Sequence, residues 1–152
     1  MNSDEVFEIK RTWEIPAASP TESGVAILIQ FFTKYPSNLQ KFSTFKDMTL
    51  DELKDNPRFK AHANRIMKVF DDSVQALDDD YSQLEEIWIK VAQSHFNRQI
   101  EKQSFNELKE VILEVLAAAC NLNDQQTEIW IKLMDFIYDI IFKTIDELEQ
   151  DA

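Results

Sequence analysis

The stretch VAQSHFNRQI, residues 91–100, closes a segment in which Leu84, Ile87, Trp88, Val91, Ala92 and His95 recur at steps of three and four. That spacing predicts an amphipathic helix over 81–97, with His95 as its last inward position. The only other histidine, His62, falls on a second stripe of the same kind, with Phe59, Ile66, Val69, Phe70 and Leu77. Asn56-Pro57 opens that helix and Asp78-Asp79-Asp80 ends it. Both imidazoles of a polar chain are thus placed on inward faces of consecutive long helices.

The rest of the chain follows the same period, and with Gly24 as its one glycine it predicts an all-α fold. Residues 4–15 place Val6, Ile9 and Trp13 on one face, and Pro16 is expected to end or kink that helix. Ser19-Pro20-Thr21-Glu22 reads as a capping box starting a second helix that carries Val25, Leu28 and Phe32. Pro36 to Leu39 reads as the first turn of a short third helix closing near Phe42, with Phe42 and Phe45 in the bend beyond it. Thr49 to Glu52 caps a further short turn. Ser104-Phe105-Asn106-Glu107 reads as another capping box, launching a helix with Leu108, Val111, Ile112, Val115 and Leu116 inward, and Asn123-Asp124 begins a last helix over about 124–148. No repeat or linker divides the 152 residues, so one domain over 1–152 is expected.

Composition narrows the function. A hydrophobic fraction of 44% with 11 Phe and 3 Trp is too apolar for a disordered chain. A net charge of −12 argues against nucleic acid and anionic lipid as partners. No apolar run has the length of a membrane span, and the acidic start does not read as a secretion signal, so a cytoplasmic, intracellular protein is expected. Cys120 is the single cysteine, which excludes an internal disulfide, and its apolar surroundings favour an inert buried thiol. The acidic triplet at 78–80 lacks the glycine and distant glutamate of a calcium loop.

The two histidines carry the chemistry. A buried imidazole nitrogen without a partner costs about 1–3 kcal/mol, and the neighbours Phe59, Ile66, Val91 and Ala92 offer no side-chain partner. A bare metal ion is poorly served, because structural zinc takes four protein ligands and catalytic zinc usually three, while His62, His95 and Cys120 are the only soft or nitrogen donors. Haem needs only one or two axial imidazoles in apolar walls, since the porphyrin brings four nitrogens. No Cys-x-x-Cys-His is present, so such a haem would be held noncovalently. Ser94 and the carbonyl of Val91 both stand where they could accept from Nδ1–H of His95, which assigns His95 to the iron and His62 to the opposite, gas-binding side.

At these residues the chain resembles the globin family, and within it the intracellular haemoglobins of flies. The resemblance covers the whole chain: Trp13, Pro36 with Phe42 and Phe45, FKAHANRI around His62, VAQSHFNRQI around His95, and Phe105 after the next corner. It implies a globin fold of seven to eight helices around a pocket for haem b (iron protoporphyrin IX). Phe42 matches the haem-wedging phenylalanine, Phe45 the second phenylalanine of that corner, His62 the distal histidine and His95 the proximal ligand. Leu28 and Ile66 match distal aliphatic residues, and Val91, Ile100, Phe105 and Leu108 match proximal contacts. Gly24 falls where the family sets a small residue at a close helix crossing, with Ala63 as its small partner. Thr44 and Gln99 depart from the basic residue and the histidine common there, so Arg65 and Arg98 become candidates to anchor the propionates.

The function implied is reversible binding of dioxygen and other diatomic gases, for transport, storage or facilitated diffusion, with His62 donating a hydrogen bond to the gas. Nothing in the residues excludes nitric oxide dioxygenase or nitrite reductase chemistry, or a haem-based sensor. His62 could also coordinate iron itself when no gas is bound. The resemblance leaves room for a homodimer, for which no sequence patch argues.

Overall fold

The computed structural model describes residues 1–151; Ala152, the last residue of the domain expected over 1–152, lies outside them. Seven α-helices follow one another: α1 (Ser3–Ala17), α2 (Pro20–Lys34), α3 (Leu50–Lys54), α4 (Pro57–Gln75), α5 (Ser82–Asn97), α6 (Lys102–Ala119) and α7 (Asp124–Asp151). Two 3₁₀ segments intervene, Pro36–Lys41 after α2 and Ala76–Asp78 after α4, and no strand occurs among the described residues.

Local chemistry accounts for several boundaries. The Asn56 side chain accepts from the Phe59 amide at 3.0 Å and Pro57 follows at the first helical position, so α4 begins where one of its free amides is satisfied. Thr49 and Glu52 form the expected reciprocal cap of α3. Asn123 and Gln126 form another ahead of α7, with bonds of 3.0 and 2.8 Å.

Two capping expectations are corrected, while the one for Pro16 is met: it lies in the last turn of α1, which ends one residue later at Ala17. The ring removes the amide that would have bonded the Thr12 carbonyl, and the Cys120 thiol donates to that carbonyl at 3.4 Å instead. Ser19 makes no side-chain cap, because its ψ of 70° is not the extended conformation a capping side chain needs. Ser104 does not cap α6, which starts earlier behind Glu101; it is buried and bonds across to Asn38.

α2 packs extensively along α4, and α5 along α7. At the α2–α4 crossing a Cβ on Gly24 would lie 2.5 Å from the Ala63 carbonyl oxygen, so the close approach needs glycine there. All three tryptophan N–H groups are paired at 2.9 Å: Trp13 to Asp71, Trp88 to Ser73 and Trp130 to Thr12. Fully buried Ile9, Phe59, Ala63, Leu84, Ala92, Val111 and Ile137 run through the interior. By contrast α4 and α5, consecutive in sequence, touch only slightly. That separation positions the site.

Candidate functional site

His62 stands on α4 and His95 on α5, the two consecutive helices that touch only slightly. Both histidines are half-buried. His62, in the second turn of α4, is held edge-on by Phe42, with ring centroids 5.4 Å apart and planes at 78°, and lies 6.5 Å from Phe45. Phe42 ends the 3₁₀ segment and also meets Phe32 edge-on at 5.3 Å, so the corner is an aromatic stack rooted in α2. Phe45 in turn sets its ring against Phe59 at 5.4 Å. His95, in the last turn of α5, faces Phe105 of α6 at 5.3 Å.

The surroundings of these rings differ by chemistry. Nδ1 of His95 lies 2.8 Å from the Val91 carbonyl. A carbonyl can only accept, so Nδ1 carries the proton and Nε2 keeps a free lone pair. Ser94, the other acceptor expected, is exposed and is not the partner. Nδ1 of His62 instead faces the Arg65 guanidinium at 3.5 Å. Arginine can only donate, so this longer contact favours the tautomer with the proton on Nε2.

Burial holds both imidazoles below their ordinary pKa of 6.5. For His62 the charges of Arg65, Arg98 and His95 act in the same direction; for His95 the Val91 hydrogen bond partly offsets the burial. Both rings are therefore neutral at pH 7, as a ligand or a neutral donor must be.

The other expected site residues divide by exposure. Leu28, Phe45 and Phe105 are buried. Phe42, Ile66, Val91, Ile100 and Leu108 are only half-buried although apolar, packing against the core with part of each side chain left open. Arg65 and Arg98 are exposed, and the positive charges of both push the His62 pKa down. Cavities of about 250 Å³ beside Met1, Tyr81 and Phe136, and of about 220 Å³ beside Trp13 and Met67, contain neither histidine.

Sequence reading did not find Asn38 and Ser104 as partners. Asn38 is 1% exposed and bonded to α6 through Ser104 and Glu107. No local spacing could have revealed a pair 66 residues apart.

The donor set fits haem and not a bare ion. No group of three or more His, Cys, Asp or Glu stands together to hold a metal among the described residues. One imidazole lone pair, a second neutral imidazole on the neighbouring helix, half-buried apolar side chains and two exposed arginines suit an iron porphyrin with acidic side chains. An all-helical bundle with that site defines the globin class of haem proteins. Residues 25–141 match the Globin family, and the chain belongs to it.

Its relatives include "Cytoglobin-2" of Danio rerio, 36% identical over 135 residues, 86% of this chain and 74% of that protein. Among solved structures, the hexa-coordinate hemoglobin of Drosophila melanogaster is 56% identical with a TM-score of 0.91, covering 94% of each chain. The hemoglobin of the botfly Gasterophilus intestinalis is 43% identical with a TM-score of 0.88, covering 96% of this chain and 99% of that one. The protein is thus similar to insect haemoglobins, and its cofactor is haem b.

Proposed function

We propose that this protein binds dioxygen and related diatomic gases reversibly, with His95 as the axial ligand of the haem iron and His62 on the gas side. The observation that carries the reading is the 2.8 Å contact of His95 Nδ1 with the Val91 carbonyl, which leaves Nε2 as a free base and fixes the ring. Bound haem supplies a ferrous iron with a position open to a small gas.

The protein's own groups do the rest. His62, with Arg65 toward its Nδ1, presents Nε2–H as a neutral donor, which favours a gas that draws negative charge over one that does not. Leu28, Ile66 and Phe42 make the distal wall and limit water, while Val91, Ile100, Phe105 and Leu108 make the proximal wall. Arg65 and Arg98 would hold the propionates at the rim, in place of the basic residue absent at Thr44.

A six-coordinate resting state, with His62 on the iron until gas displaces it, is the second reading. It is supported by the 56% identity to a hexa-coordinate hemoglobin.

Absorption spectra of the haem-loaded protein in ferric, deoxy and oxygen-equilibrated forms test these readings. A reversible change on adding and removing oxygen is expected, and the deoxy spectrum reads the coordination number. His95→Ala should weaken haem retention by more than the roughly 10–100-fold typical of a lost outer-shell contact. Retention as tight as that of the unaltered protein would refute the assignment of His95.

A further inference from the structure

We propose that Asn38 and Ser104 are positioning residues that set the spacing between the two sides of the pocket and so restrain His62 from coordinating the iron; this rests on the haem-binding reading above. Asn38 lies in the 3₁₀ segment and Ser104 in the first turn of α6, at 1% and 6% exposure. The Ser104 hydroxyl donates to Asn38 Oδ1 at 2.7 Å. Asn38 Nδ2 donates to Glu107 Oε1 at 3.1 Å and to the Tyr35 carbonyl at 3.3 Å. Lys41 donates to the Ser104 hydroxyl from outside. A ring of exposed contacts reinforces the junction, with Lys34 3.0 Å from Glu110 and the Tyr35 hydroxyl on the same carboxylate.

Space filling does not explain such a cluster. A pair of apolar side chains of similar volume would close the same junction without the desolvation of an amide and a hydroxyl. What the polar cluster adds is direction, because each of its hydrogen bonds holds only over a narrow range of distance and angle. A shifted 3₁₀ segment would leave several buried groups unpaired together.

The two ends of the cluster show what is being positioned. Four residues beyond Asn38, Phe42 sets the edge of its ring on His62. Its amide bonds the Leu39 carbonyl at 3.1 Å, so it moves with the segment that Asn38 anchors. One residue beyond Ser104, Phe105 packs on the His95 ring. A short tie thus runs from the distal imidazole through Phe42, Asn38, Ser104 and Phe105 to the proximal one. Because α4 and α5 barely touch, direct packing between those helices does not supply this restraint.

Loosening the tie would let Phe42 fall back and free His62 to swing toward the iron. The measurement is the ratio of His62-bound to open ferrous haem in the full, haem-loaded chain. It is read from the deoxy spectrum and from the competition of His62 with carbon monoxide after flash photolysis. Asn38→Leu and Ser104→Ala should each raise that ratio about threefold or more, while Ser104→Thr, which keeps the hydroxyl, should stay at the starting value. In a His62→Gln background the same changes should leave the spectrum unaltered.

A ratio that is unchanged or lowered, with only thermal stability reduced, would overturn the proposal and leave the cluster a structural one. Should Asn38→Leu fail to fold, Ser104→Ala, which removes a single oxygen, decides alone. A starting protein that takes up no haem would overturn the functional reading itself, an outcome distinct from variants that bind haem with the ratio unmoved.

Discussion

Replacing Gly24 by alanine adds one carbon at the α2–α4 crossing, and the expected result is the reverse of what helix propensity alone would give. An exposed helical glycine changed to alanine gains about 1 kcal/mol. Here the new Cβ would lie 2.5 Å from the Ala63 carbonyl oxygen, 2.9 Å from its carbon and 3.0 Å from its Cβ. An ordinary carbon–oxygen contact needs roughly 0.7 Å more, and a backbone carbonyl cannot rotate aside, so α4 must move bodily; overpacking of this kind costs about 3 kcal/mol at its upper range. Subtracting the propensity gain leaves a net loss of about 2 kcal/mol, or about 4–8 °C in Tm for a chain of this size. Ala63→Gly should not rescue the variant, because the nearest clash is with backbone. Since Ala63 follows His62 directly, the deoxy spectrum should also shift. Thermal unfolding of the haem-loaded protein is the assay. A Gly24→Ala protein as stable as the original, or more stable, would refute the reasoning.

Two further outcomes follow from titration and burial. Both histidines have native pKa values below the ordinary 6.5, so the unfolded chain takes up protons first as pH falls. The stability of the apoprotein should therefore be level above about pH 7 and decline as pH falls through about 6.5, continuing until the native rings also protonate. Urea unfolding across that window checks this, and stability that stays constant down to about pH 5 would contradict it. Burial also pushes the Cys120 thiol up, so alkylation of the folded protein near neutral pH should be slow and should accelerate on adding denaturant. Fast labelling of the folded protein would show the thiol to be exposed.

Much of this architecture was legible residue by residue. The stripe through Phe59, His62 and Ile66 and the one through Trp88, Val91 and His95 become α4 and α5, because a 3.6-residue period is a local property of the chain. Gly24 and Ala63 could be paired only through the family resemblance, and the structure confirms their contact. The capping readings separate by tertiary environment. Thr49 and Asn56 cap as expected, since solvent offers their side chains nothing better, whereas Ser104 is recruited by Asn38 and Ser19 is left in a conformation that cannot reach back. A capping box is a local option that a buried partner can outbid.

The sequence alone determined that the chain is helical, that its two imidazoles lie on inward faces, and that its donors are too few for a bare metal, because periodicity and residue inventory need no coordinates. The tertiary structure decided which ring nitrogen is free on His95, that Arg65 stands beside His62, and how the 3₁₀ corner is tied to α6. Those depend on distances between groups far apart along the chain, and hydrogen bonds and close crossings are lost when such distances change by less than an ångström.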